Sequence, residues 1–298
     1  ERRYPLNNDT IPPGTKLEKD ENPNLESSYK NYNLKEYAPE VMFEKITKFI
    51  DQNKDKPFFL YWADPIPHAA LQAPKKWVDY YISKFGEEEP YLGQKGYFPT
   101  KNPRATYAAM ISYLDENVGK LILQLKKEGI YDNTIIMFTS DNGPTYNGGT
   151  DSPWFDSAKP FKSEYGYGKG FLNEGGIRVP MIASWPGKIK PDSKSNLISS
   201  HYDIMATICD IVETKIPDDT DGISFLSTLL QNEEQKLHDY LYWEFHERGG
   251  RKALRKGDWK LVHYNVLKPE QTTTELYNLI DDPGEENNVA QDHPEILN

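Results

Sequence analysis

The chain has 298 residues, 37% of them hydrophobic and 27% charged, with 20 Tyr, 6 Trp and a formal net charge of −11. This composition belongs to a folded chain rather than a disordered one, and the negative charge excludes a nucleic-acid binder, whose phosphate contacts need an excess of Lys and Arg. The longest apolar run, Phe58-Phe59-Leu60-Tyr61-Trp62-Ala63, is far too short to span a bilayer.

Residues 1–40 are rich in Pro, Asn, Asp and Lys without a sustained period, and read as a surface segment packed against something else. The chain begins Glu1-Arg2-Arg3 rather than with methionine, so an upstream segment is expected. Over residues 40–53, Met42, Ile46, Phe49 and Ile50 recur at helical spacing. A turn at Asn53-Lys54-Asp55-Lys56-Pro57 precedes residues 58–63, which predict a buried strand. Residues 104–128 predict the clearest helix, with Ile111, Leu114, Val118, Leu121, Ile122 and Leu125 on one face and Gly129 as the stop.

Thr134-Ile135-Ile136-Met137-Phe138-Thr139 predicts a buried parallel strand. A long Gly/Pro/Ser/Tyr-rich loop over 143–170 follows, a length that is usually functional or disordered. Val179 to Trp185 predicts a third strand and Asp203 to Val212 a helix, within which the single cysteine, Cys209, reads as a buried, inert thiol. Strand–helix–strand–helix order gives an α/β sheet with helices on its faces over residues 1–231. Short strands at Tyr240–Phe245, Ala253–Arg255 and Trp259–Tyr264 give a small antiparallel sheet, hence a second subdomain over 232–298.

Three groups could carry chemistry. Asp141-Asn142 follow the strand at 134–139, where ligands bind in open α/β sheets. A carboxylate beside an amide oxygen suits Ca²⁺ or Mg²⁺, although Asp-Asn-Gly is also ordinary turn chemistry. His68, stiffened by Pro65 and Pro67, could act as an acid or be a solvated loop side chain. Lys169 sits among glycines that let a backbone approach a ligand, and the alternative is a solvated lysine in a flexible loop. Lys159, Lys162, Lys169 and Arg178 together form a cationic cluster in sequence, enough to hold a small anion in an acidic protein.

Lys169-Gly-x-x-x-Glu174-Gly-Gly-Ile-Arg-Val-Pro180 resembles the second signature of the type I sulfatases, formylglycine-dependent enzymes of the alkaline-phosphatase-like superfamily. Other elements resemble that family in its order: Pro57 to Tyr61 leading to Pro67-His68, Tyr107 to Gly119, Thr139 to Gly143, Ser200 to Asp203 with Thr207, Asp221 to Phe225, and the ending Leu276 to Leu279 with Asp282-Pro283-Gly284-Glu285 and Asn287-Asn288. The resemblance covers roughly residues 40–298 and implies an alkaline-phosphatase-like α/β sheet flanked by helices, its first strands lying outside this chain. It implies that Asp141 and Asn142 ligate Ca²⁺, with Mg²⁺ as the alternative ion. It also implies that His68 and Lys169 contact a sulfate ester, His68 being placed to protonate the leaving oxygen. The substrate implied is a sulfate monoester on a small molecule or glycan, and the compartment implied is secreted, periplasmic or lysosomal.

Departures from the family pattern are equally legible. The Cys/Ser-x-Pro-Ser-Arg motif whose first residue becomes formylglycine is missing, Ser184-Trp185-Pro186-Gly187-Lys188 being the nearest match, and so are the paired aspartates that complete the family's calcium site. Both are expected in a preceding part of the same protein, and residues 1–298 alone are expected to be inactive. Thr145 stands where the family often has histidine, and Tyr146–Tyr167 with His246-Glu247-Arg248 are positioned to shape a substrate pocket. Two alternatives stay open: a phosphatase or phosphodiesterase of the same superfamily, which Asp141-Asn142 in place of Asp-His disfavours, and a non-catalytic relic of the fold.

Overall fold

The computed structural model describes residues 16–33, 36–94, 96–232 and 234–297. The chain divides into two units, one comprising the residues up to Tyr131 with Thr145–Phe155, the other Asp132–Pro144 with Asp156 onward.

The first unit is helical, with α1 (Ala38–Asn53), α2 (Lys75–Phe85), α3 (Pro103–Lys127) and the short α4 (Ser152–Phe155). The start of α3 has Pro103 in its first turn, and the carboxylate of Glu88 accepts the backbone N–H groups of Arg104 (2.7 Å) and Ala105 (3.0 Å), donors that a helix cannot satisfy internally. At its other end Gly129 takes φ +71°, Gly129 N–H donates to Lys126 and Ile130 N–H to Leu125, the paired bonds of a Schellman stop. Glu116 on α3 clamps α2 by accepting from Trp77 Nε1 at 2.7 Å and Lys76 Nζ at 2.6 Å, while Gln124 reaches the carbonyl of Thr47 on α1 at 3.0 Å. The core between them is Ile66, Ala69, Leu71, Tyr107, Met110 and Tyr113.

The second unit holds β1 (Ile136–Thr139), α5 (Glu174–Ile177), β2 (Met181–Ser184), α6 (Asp203–Ile211), α7 (Leu226–Leu229) and four strands, β3 (Leu241–Phe245), β4 (Arg251–Lys256), β5 (Trp259–Tyr264) and β6 (Thr273–Asn278). Strands β3 to β6 form an antiparallel meander in sequence order. Ala253, Val262 and Tyr277 on its inner face pack with Leu172 and Leu279, and Ile177 joins them. Asp203 explains two of the later motifs: its buried carboxylate accepts Ser200 N–H (2.7 Å) and Ile223 N–H (2.8 Å) and lies 2.8 Å from His238 Nε2. Thr207, one turn on, accepts Phe225 N–H at 3.0 Å. The chain's ending is bound back in the same way, Asn288 Oδ1 accepting Leu276 N–H and Ala290 N–H at 3.0 Å each.

Four expectations need correction. Strand β1 pairs antiparallel with β2, Ile136 opposite Ser184 and Thr139 opposite Met181, rather than standing in a parallel sheet. An apolar run does not report strand direction, and with one neighbour each among the described residues, the two strands leave Phe138, Met181 and Ile182 exposed. Residues 58–63 join no ladder among the described residues; they alternate as a strand would, but Phe59 and Tyr61 are 68% and 81% exposed. The last strand, β6, was hidden inside the tail motif. Cys209 is half-buried rather than enclosed. Part of the opening segment, 1–15 and 34–35, lies outside the described residues; its described remainder packs inward through Tyr29 and Tyr32, with Tyr32 OH donating to Lys16 O at 2.8 Å.

Candidate functional site

Strand β1 delivers the chain into Ser140-Asp141-Asn142-Gly143-Pro144, and two backbone bonds fasten this turn to the signature segment of the same unit. Gly143 N–H donates to Gly176 O, and Lys169 N–H donates to Pro144 O, both at 2.9 Å. Approach this close requires glycine. A Cβ on Gly143 would sit 1.8 Å from Gly175 O, and one on Gly175 would sit 1.6 Å from Lys162 O. The glycines of Glu174-Gly175-Gly176 therefore form a packing surface on which the Asp141–Asn142 turn rests.

Phe171 N–H donates to Gly168 O at 3.0 Å and Gly170 takes φ +82°, so Gly168–Phe171 is a turn with Lys169 at its first corner and the positive φ at its second, as type II requires. Lys169 is half-buried, and among the described residues its side chain makes no hydrogen bond or ion pair. The remaining members of the sequence cluster are otherwise engaged. Lys159 pairs with Asp156 (3.0 Å), Lys162 lies over the Tyr167 ring (4.5 Å) and near Glu286 (3.8 Å), and Arg178 pairs with Glu174 (3.3 Å). Asp141 is exposed and has no ion partner among the described residues. Asn142 Nδ2 donates to Gly143 O at 3.0 Å, so Oδ1 is the side-chain atom with the chemistry to accept a cation.

Under the signature lies a charge cluster that sequence reasoning missed. Lys260, fully buried on β5, places its ammonium 2.9 Å from Glu174 Oε1 and 3.0 Å from Glu285 Oε1. Glu285 Oε2 accepts Glu174 N–H at 2.6 Å at the start of α5. Burial pushes the Glu174 carboxyl up, but Lys260, then Arg255 and Arg178, outweigh it and hold the group below its ordinary value. At Glu285 burial wins over the same lysine and the carboxyl is held above its ordinary value. The signal was present: Lys260 is in phase with inward-facing Val262, a charged residue on the buried face of a strand.

His68 belongs to the first unit. Its Nδ1 lies 2.5 Å from Ala69 O, and since a carbonyl only accepts, Nδ1 carries a proton there. Its backbone N–H donates to Pro65 O (2.7 Å) and its ring meets Tyr97 edge-on at 5.7 Å. Thr145 serves a local turn, its hydroxyl accepting Asn147 N–H at 3.3 Å. His246 pairs with Glu244 at 2.8 Å at the end of β3. The turn that follows Asp141-Asn142 and the segment that carries Lys169 are thus joined by backbone bonds inside one unit, while His68 belongs to the other.

Among the described residues, no group of three or more His, Cys, Asp or Glu is placed to hold a metal ion. Asp141 and Asn142 Oδ1 are hard oxygen donors that fit a calcium-type ion, as two of the six to eight oxygens such an ion takes. Nor is any described helix long and apolar enough to cross a membrane.

The helices and two antiparallel sheets match those of alkaline-phosphatase-like sulfatase structures, with a TM-score of 0.70 to the crystal structure of Ps i-CgsB. Residues 4–214 match the sulfatase family model, and residues 163–296 match the model described as N-sulphoglucosamine sulphohydrolase, C-terminal. The chain belongs to the sulfatase family. It is 29% identical to an uncharacterized sulfatase of Schizosaccharomyces pombe over 91% of this chain and 60% of that one. It is also 29% identical to N-acetylgalactosamine-6-O-sulfatase of Bacteroides thetaiotaomicron, over 87% of this chain and 48% of that one. The crystal structure of Ps i-CgsB in complex with k-i-k-neocarrahexaose is similar with a TM-score of 0.71 and 28% identity, covering 88% of this chain and 52% of that one. The chain spans about half the length of the curated relatives it matches.

Proposed function

We propose that the whole protein is a sulfuric ester hydrolase that cleaves a sulfate monoester on a glycan. The observation that carries this reading is the pair of backbone bonds, Gly143 to Gly176 and Lys169 to Pro144, that tie a carboxylate–amide turn to a lysine without an ion partner among the described residues. Membership of the sulfatase family and likeness to a carbohydrate sulfatase support the choice of ester and of substrate class.

In this reading Asp141 and Asn142 hold Ca²⁺, or Mg²⁺ in its place, and the nucleophile is a formylglycine outside residues 1–298. When bound, the ion supplies positive charge to the sulfate oxygens. Lys169 supplies a second positive charge to the same oxyanion, its backbone fixed at the turn corner by the Pro144 and Gly168–Phe171 bonds. His68, in its imidazolium form, is the proton donor to the leaving oxygen in this reading. A secreted, periplasmic or lysosomal location belongs to the same proposal.

The deciding experiment is turnover of an aryl sulfate and a matched aryl phosphate by the full-length protein. Sulfate release that disappears on chelation and falls in Lys169→Ala supports the reading. Preferential phosphate release, or no release of either with intact folding, overturns it.

A further inference from the structure

We infer that Lys260 and Glu285 are positioning residues for catalysis: through Glu174 they hold α5, and α5 sets where the Lys169 turn and the Asp141–Asn142 turn lie. The inference rests on the proposed sulfatase function and adds to it two buried residues, one from β5 and one from the chain's ending.

Helix α5 has little to hold itself with. It is a single turn, Glu174–Ile177, with two glycines at its centre, and one isolated turn fixes several dihedrals for very few hydrogen bonds. The inner face of the meander supplies what it lacks. Arg255 and Lys260 are cross-strand partners, each two residues along its strand from inward-facing Ala253 or Val262. Lys260 Nζ lies 2.9 Å from Glu174 Oε1, and Arg255 Nη1 lies 3.6 Å from Glu174 Oε2. Glu285 Oε2 accepts Glu174 N–H at 2.6 Å, and Tyr264 OH donates to Asn173 Oδ1 at 3.1 Å, one residue before α5. Glu174 is therefore fixed at both its side chain and its backbone, by Lys260 and Glu285, both buried.

Gly176, in the same helical turn, is where the two functional turns rest. A Cβ on it would sit 2.3 Å from Phe171 O and 2.6 Å from Gly168 O, the last and first residues of the turn that carries Lys169. Its carbonyl accepts Gly143 N–H from the Asp141–Asn142 turn. One glycine thus bears on both turns, in contacts too close for a side chain. Packing this dense passes a displacement on rather than absorbing it, so a shift of α5 moves both turns together. Fastening alone does not call for charge, since well-packed apolar residues of similar volume often serve stability as well or better. Charge-assisted bonds to one carboxylate and its own N–H fix direction as well as depth, which a site assembled from two turns requires.

The test measures aryl sulfate turnover, and Ca²⁺ binding by titration calorimetry, for full-length wild type, Lys260→Met and Glu285→Ala at a temperature where circular dichroism shows them folded. Misplacement remote from the chemistry is expected to lower kcat by about 10- to 100-fold, a larger factor than any rise in KM, and to weaken Ca²⁺ binding. Glu116→Gln, which loosens the α2–α3 clamp in the other unit, controls for lost stability and is expected to keep wild-type kcat. Glu285→Ala leaves Lys260 paired with Glu174 and carries the test if Lys260→Met does not fold. Wild-type kcat in a folded Lys260→Met or Glu285→Ala protein overturns this inference alone, and so does an equal loss of kcat in Glu116→Gln. Wild type that releases no sulfate overturns the proposed function with it.

Discussion

Gly143 donates its backbone N–H to the carbonyl of Gly176 at 2.9 Å, so the turn carrying Asp141 and Asn142 rests directly on the glycine pair of the signature segment. With a Cβ on Gly143 falling 1.8 Å from Gly175 O, there is no room for any side chain between the two segments. Gly143→Ala and Gly175→Ala are therefore expected to separate them, each destabilising the protein by more than about 2 kcal/mol, the range of overpacking and backbone strain. Urea unfolding at neutral pH checks this, with Gly187→Ala as a comparison at a glycine that has open space around it but a positive φ of +72°.

Lys260 is the sole cation within 3.0 Å of both Glu174 and Glu285 among the described residues, and its ammonium is fully buried. Lys260→Met keeps the volume but leaves two buried carboxylates short of a counter-charge, which is expected to cost about 3–5 kcal/mol. The pH dependence follows from the signs. Glu174, held low, contributes stability above its ordinary pKa that is lost as pH falls through its folded value; Glu285, held high, favours folding below its ordinary value and loses that contribution as pH rises through its folded value. Without Lys260 both carboxyls shift upward, so the deficit relative to wild type should be larger at pH 8 than at pH 5. Equal deficits at the two pH values would contradict the assignment.

Glu116 is held at a pKa of about 2 by hydrogen bonds from Lys120, then Lys76, then Trp77. The clamp between α2 and α3 should therefore be complete above the ordinary carboxylate range and be lost as pH falls towards 2. Glu116→Gln is expected to lower the denaturation midpoint at pH 7, and the gap to wild type should narrow steadily below pH 4. Unfolding followed by circular dichroism at several pH values measures it.

For catalysis, Lys169→Ala and His68→Ala in the full-length protein are each expected to reduce kcat for sulfate ester hydrolysis by about a hundredfold or more, the usual cost of one electrostatic donor. His68→Ala should lose less on an aryl sulfate whose leaving group needs no proton than on a sugar sulfate. Residues 1–298 alone, which contain no Cys/Ser-x-Pro-Ser-Arg motif, should release no sulfate from either.

The sequence by itself determined three of the helices and the family signature. Periodic apolar faces located α1, α3 and α6 within a residue or two, and Gly129 marked the end of α3 because a left-handed stop favours glycine. The signature motif was legible because its glycines have no substitute at contacts below 3 Å. Only the tertiary structure decided that β1 runs antiparallel to β2, because an apolar run carries no information on strand direction. It alone also decided that Lys162 and Arg178 are engaged elsewhere while Lys169 is not, and that Lys260 lies under Glu174, 86 positions away. Ion pairing depends on distances between residues far apart in the chain, and those distances exist only once the backbone has closed around them.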